Sequence, residues 1–310
     1  YRMLKKVLSR PLMLITIFAI IFGLIISWEY FGNHTSAKVN SKPNYQLSRD
    51  IVYHQINNSQ LKLDLYQNKN PGLHPTLIAI HGGGWIEQSK ETFNFFFDPY
   101  LSWGFSVVNI NYRLASTALA PAAVEDSRCA LYWVINNAEK YNFDTSKIIT
   151  NGFSAGGHLS LTTGIIPPEA GFDKQCPQNN LDSKKVKVAA IVNWSGITDV
   201  KDLIVGDNKR NYALEWLGNN ITNAKIQLAK KVSPVNYIRP NLPLILTIHG
   251  DKDTVVPYAH AVKLHQKLDK AGVENQLLTM KGATHNYFSY QQTQQVYATI
   301  KEFLIKHQII

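Results

Sequence analysis

From about residue 46 onward the apolar positions follow two regimes. The first alternates: Ile51, Tyr53 and Gln55 against Val52, His54 and Ile56, then Leu61, Leu63 and Leu65 against Lys62, Asp64 and Tyr66. A period of two is that of a half-buried strand, and residues 57–60 supply turn chemistry, so an antiparallel hairpin is predicted. Farther along, alternation gives way to short, nearly continuous apolar runs at 76–80, 106–110, 147–150, 186–193, 244–249 and 276–280. Strands covered on both faces must read this way. Helical periodicity fills the gaps at 92–102, 121–141, 156–165, 258–271 and 291–307, with Pro121 at a first helical position, where a missing N–H costs nothing. Strand and helix alternating in this manner predict an α/β chain: a doubly wound, mostly parallel sheet with the hairpin at one edge. Residues 198–240 fit poorly, with short helical patterns and prolines between two strands. A connection of that length reads as a small cap, with a meandering surface excursion as the alternative.

The first 45 residues obey other rules. Residues 11–28 carry no charge, Arg2, Lys5, Lys6 and Arg10 precede them, and neither Lys nor Arg follows until Lys38. That run is long enough to span a bilayer core, and the basic residues keep residues 1–10 cytoplasmic while everything after residue 30 crosses the membrane. Trp28, Tyr30 and Phe31 fit an interfacial belt and favour a retained anchor. A cleaved signal is the alternative, since residues 12–26 also fit an apolar signal core and Thr35-Ser36-Ala37 a cleavage site. Residues 29–45, polar over 33–44, read as a linker, and 46–310 as one catalytic domain displayed outside the cytoplasm, or secreted or periplasmic after cleavage.

Composition narrows the classes. With 310 residues, 45% hydrophobic and 17% charged, the chain holds enough apolar material for a core, which excludes disorder, collagen and coiled coil. The net charge of +10 is scattered, +3 in residues 1–37 and +7 in the remainder, so it describes a basic soluble surface and no nucleic-acid module. Two cysteines, Cys129 and Cys176, form no CxxC pair. Cys129 lies in an apolar helical pattern, where a buried free thiol is the ordinary expectation; a bridge in an oxidising compartment is the alternative.

Four motifs carry chemistry. Gly152-Phe153-Ser154-Ala155-Gly156-Gly157 joins a strand to a helix, a junction so tight that glycine must flank the serine, whose hydroxyl is pushed above the sheet. His81-Gly82-Gly83-Gly84-Trp85 follows another strand, and the amides of Gly83, Gly84 and Ala155 are candidates for an oxyanion hole, which must aim N–H groups at the charge that develops in acyl transfer. Asp251 and Asp253 both follow the strand at 244–249. Either could orient a base; Asp253 is chosen, with Asp251 capping the turn. His285, on the loop before the last helix, is the candidate general base, whereas His158 is expected to pack. The chain shows no HExxH, clustered metal ligands, P-loop or strand-linked GxGxxG.

The order Ser154, Asp253, His285 is that of the α/β-hydrolase fold. The His81–Trp85 run, Asn111-Tyr112-Arg113-Leu114, the elbow with His158 and Leu159, Ser233-Pro234 before Tyr237, and residues 250–257 resemble the family of bifunctional feruloyl and acetyl-xylan esterases over about residues 46–308. Kynurenine formamidases and hormone-sensitive lipases share the His-Gly-Gly signature. The resemblance implies hydrolysis of short-chain or aryl carboxylic esters, free or linked to polysaccharide, without metal or nucleotide cofactor. One position departs from it: Gln88 stands where that family usually has glycine. Two rivals are a formamidase-type amidase, which acts on a cytosolic metabolite and has little use for residues 11–28, and a silent binding module on a hydrolase fold, against which retention of all three candidate residues argues.

Overall fold

The computed structural model describes residues 44–177, 181 and 186–310, so the expectations for residues 1–43 lie outside the described residues. Among the described residues no helix is long and apolar enough to cross a membrane.

Alternation at the start of the domain gives β1 (Tyr45–Ile56) and β2 (Ser59–Asn68), paired antiparallel around Asn57-Asn58. The apolar runs give β3 (His74–Ile80), β4 (Ser106–Ile110), β5 (Phe143–Phe153), β6 (Ala190–Trp194), β7 (Leu244–Gly250) and β8 (Asn275–Met280). Together they form one sheet in the order β1-β2-β4-β3-β5-β6-β7-β8, antiparallel from β1 to β4 and parallel from there on. Helices follow the strands: α1 (Asp98–Ser102), α2 (Ala122–Asn136), α3 (Ala138–Tyr141), α4 (Ala155–Ile165), α5 (Asn211–Trp216), α6 (Asn223–Lys231), α7 (Ala259–Lys270) and α8 (Tyr290–Lys306). This is the α/β-hydrolase architecture.

The strand period divides the core. Ile78, Ile80, Val108, Ile110 and Ile191 face a cluster that includes Val124 of α2, Leu159 of α4 and Leu264 of α7. Leu77, Ala79, Val107, Val192 and Ile248 face the other side, against Val296, Ile300 and Phe303 of α8. Continuous apolar runs are the sequence trace of this double coverage.

Several expectations need correction. The helix expected over 92–102 is broken: a 3₁₀ segment, Lys90–Phe96, precedes α1. Pro99 has no N–H and is tolerated only in a helix's first turn, so the helix restarts just before it. Pro121 caps α2 and does not begin it; its carbonyl accepts the N–H groups of Val124 and Glu125, and the long helix expected here divides at Asn137. β6 is shorter than expected, because Val186 and Val188 are buried outside the ladder. Cys129 and Cys176 are joined in a disulfide, which replaces the free-thiol expectation. Beside it Arg128 pairs with Asp173, which also accepts the Tyr132 hydroxyl. No local pattern in the sequence marks this loop partner. Residues 198–240 carry α5 and α6 and reach the site described next, as a cap does.

Candidate active site

Each candidate side chain leaves the carboxyl end of a strand, where parallel strands deliver their loops to one edge. Ser154 follows β5 with φ 57° and ψ −118°, a conformation that L-residues rarely adopt. The packing beneath it accounts for this strain: a Cβ on Gly152 would lie 2.3 Å from the Gly156 carbonyl oxygen, and one on Gly156 would lie 2.1 Å from that of Ile80. Glycine alone allows α4 to start this close to β3 and β5. The Ser154 N–H donates to Trp194 O at 2.8 Å, which fixes the elbow to β6.

Asp253 follows β7 and His285 follows β8. The structure brings them to Ser154: His285 Nε2 is 3.0 Å from Ser154 Oγ, and His285 Nδ1 is 2.6 Å from Asp253 Oδ2. All three are buried. With the carboxylate ionised, Nδ1–H donates to it, which leaves Nε2 to accept the serine proton. Asp253 Oδ1 accepts the N–H groups of Val255 at 2.8 Å and Val256 at 2.9 Å. Burial pushes the Asp253 carboxyl up, but the His249 and His285 imidazoles and the Val256 N–H outweigh it and hold the group well below the ordinary carboxylate range. Asp251 points elsewhere and accepts the Gly282 N–H at 2.7 Å.

The glycine loop lies opposite. Gly83 and Gly84 have φ of 91° and 60°, Trp85 of 63° and Gln88 of 72°. Gln88 therefore keeps the left-handed backbone for which glycine is suited. Among the described residues, turn and loop hydrogen bonds engage none of the N–H groups of Gly83, Gly84 and Ala155. Ser154 and His285 line a cavity of about 190 Å³ together with Gly83, Gly84, Ile86, Glu87, Gln88, Phe153, Tyr212, Val255 and Asn286. The Phe153 ring packs against His285, with centroids 4.7 Å apart. Among the described residues no group of three or more His, Cys, Asp or Glu side chains converges as a metal site would require.

Two residues around this cavity carry little or no signal in the sequence. His249, fully buried, lies 3.2 Å from Asp253 Oδ2 and pairs with Val256 O at 3.0 Å; the His-Gly-Asp run was its only signal. Tyr212 comes from the cap, and no local pattern announces it. His158 is a structural bridge. Its Nδ1 accepts the Trp85 indole N–H at 3.2 Å, its Nε2–H donates to Val232 O at 2.7 Å, and burial lowers its pKa to about 4.

Residues 63–268 match the BD-FAE family pattern. The chain belongs to the BD-FAE family. Within that frame it is similar to the Mycobacterium tuberculosis esterase LipC, 26% identical over 234 residues that cover 73% of this chain and 56% of LipC. A truncated carbohydrate esterase from gut microbiota superposes with a TM-score of 0.67 at 27% identity, covering 84% of this BD-FAE chain and 98% of that one. A propionate-bound form of the thermophilic esterase Est2 from Thermogutta terrifontis gives a TM-score of 0.71 at 25% identity, covering 86% and 96%. The chain spans about half the length of the curated relatives it matches.

Proposed function

We propose that this BD-FAE protein hydrolyses carboxylic esters through an acyl-enzyme. Ser154 is the nucleophile, His285 the general base and then acid, and Asp253 the carboxylate that orients it. The observation that carries this reading is the continuous line Asp253, His285, Ser154, with steps of 2.6 and 3.0 Å, whose Ser154 and His285 line a cavity. Ser154 Oγ attacks the ester carbonyl carbon while its proton passes to His285 Nε2, and the imidazolium is stabilised by Asp253. The oxyanion that forms is received by the N–H groups of Gly83, Gly84 and Ala155. As the tetrahedral species collapses, the C–O bond to the alcohol breaks and His285 returns the proton to the leaving oxygen. Water then repeats the sequence and releases the acid. A cavity of about 190 Å³ suits a short acyl group.

The domain is assigned to an extracytoplasmic setting, tethered by residues 11–28 or released after their cleavage. The Cys129–Cys176 bridge supports this assignment, because disulfides persist in oxidising compartments.

The deciding experiment replaces Ser154 with alanine. Turnover of p-nitrophenyl acetate should fall on the order of a millionfold, as expected when the three groups act as a unit, with far-UV circular dichroism unchanged. A folded variant with ordinary activity would remove the assignment.

A further inference from the structure

One side chain of the cap enters the cavity. Tyr212, in the first turn of α5, covers the glycine loop so closely that a Cβ on Gly84 would stand 2.9 Å from its Cβ and 3.1 Å from its Cγ. Its hydroxyl donates across the cavity to Val255 O at 3.2 Å, and its ring therefore spans from the glycine loop to the loop bearing Asp253. Burial raises its phenol pKa, so the hydroxyl stays a donor throughout the working range.

The ring is also fixed in place. Arg210, just before α5, donates from Nε to Val255 O and from Nη2 to Thr254 O, both at 3.0 Å. At the other end of α5 the buried Trp216 stacks on the buried Trp85, with centroids 4.2 Å apart and planes 15° apart. Trp85 is held in turn by His158, which bonds to the cap at Val232. A side chain braced from both ends of a short helix acts as a wall and not as a swinging lid.

The chemistry decides what meets that wall. During deacylation and acylation alike, the carbonyl oxygen points at the glycine-loop amides and the leaving or attacking oxygen faces His285 Nε2. The remaining substituent on the carbonyl carbon is the acyl chain, which leaves the side facing His285 free for the alcohol or water and must find room in the cavity that Tyr212 walls. We infer that Tyr212 is a specificity-determining residue that stops the acyl chain and sets the longest acyl group the enzyme accepts. This rests on the ester-hydrolase reading above.

The test uses p-nitrophenyl acetate, butyrate, hexanoate and octanoate with the full chain, so the leaving group is constant. For the parent enzyme kcat/KM should drop between butyrate and hexanoate. Tyr212→Ala should relieve the drop: each methylene newly buried is worth about fourfold, so the hexanoate-to-butyrate ratio should rise about fifteenfold. Tyr212→Phe keeps the ring and should keep the parent cut-off. Tyr212→Leu, which also serves if the alanine variant does not fold, should give an intermediate shift. An unchanged chain-length profile in a folded alanine or leucine variant would overturn the inference, as would a change that follows alcohol size in a series of acetate esters. Neither result touches the ester-hydrolase reading, which stands or falls on Ser154→Ala.

Discussion

The two walls of the cavity are held by different forces. On the strand side, Ser154, Asp253 and His285 leave β5, β7 and β8 over backbone packed directly against backbone: a Cβ on Gly250 would lie 2.3 Å from the Ala283 carbonyl oxygen, as close as those on Gly152 and Gly156 come to their neighbours. On the cap side, long side chains hold the wall, through the Trp85–Trp216 stack, the His158 bridge and the Arg210 and Tyr212 bonds to Val255. Main-chain contact leaves its mark as glycine within a few residues. Side-chain contact joins positions from about forty to more than a hundred residues apart and leaves no local mark.

The strand side should therefore fail abruptly when a single atom changes. Asp253→Asn should lower kcat by about ten-thousandfold, because an amide cannot hold the imidazole in the tautomer that accepts the serine proton. Asp251→Asn keeps an oxygen for the Gly282 N–H and should stay within a few-fold of the parent on the same acetate ester. The reverse ranking would move the orienting role to Asp251. In stability, Gly156→Ala should cost more than about 3 kcal/mol, since the new methyl meets backbone that cannot yield. Gly282→Ala, at φ 73° with nothing within 4 Å of the new Cβ, should cost only about 1 kcal/mol of left-handed strain. Urea midpoints of the two variants measure the contrast, and equal losses would refute the backbone-packing account.

The same division explains what the sequence disclosed. The sheet was legible because buried strands need unbroken apolar runs, and the elbow because Gly152, Gly156 and Gly157 have no substitute. The three candidate residues were legible because each follows such a strand. Pro99 shows where periodicity misled: apolar spacing continues across it, but its missing N–H confines it to a first turn, so a new helix starts there. Nothing near Cys129 or Cys176 announced that the chain brings them together, for the loop carrying Asp173 and Cys176 is placed by its bonds to α2. Tyr212 and His249 were hidden for the same reason. Their meaning lies in partners supplied by other segments.

The cap side should instead weaken gradually, and acid is the means. Burial lowers the pKa of His158, which bridges to the cap, to about 4, and that of His81, which follows β3 on the strand side, to about 4 as well. Unfolded histidine takes up a proton near 6.5, so between there and about 4 the unfolded chain binds protons that the native one refuses, and stability falls as pH falls. Above pH 6.5 the contribution is complete; below about 4 nothing further is lost from these two groups. The shift is worth up to about 3 kcal/mol for each ring. Melting temperature measured from pH 8 to 4 should decline through this window, and His158→Gln, which cannot take up the proton, should decline less steeply. Parallel curves would show that His158 does not couple proton uptake to unfolding.

The smallest effect is expected at the loop joining the two walls. Gln88 is exposed and holds φ 72°, a conformation that costs an L-residue about 1 to 2 kcal/mol and glycine nothing. Gln88→Gly removes that strain but adds freedom to the unfolded chain, which takes back about 0.5 to 1 kcal/mol. The net gain should be about 0.5 kcal/mol, seen as a rise of about 1 to 2 °C in melting temperature. A gain would mean that this position tolerates glutamine against its backbone preference, the loop path being set by Gly83, Gly84 and Trp85 upstream. A fall would mean that the glutamine side chain itself braces the loop, and the cavity wall at Gln88 would then belong with the side-chain-held half of the site.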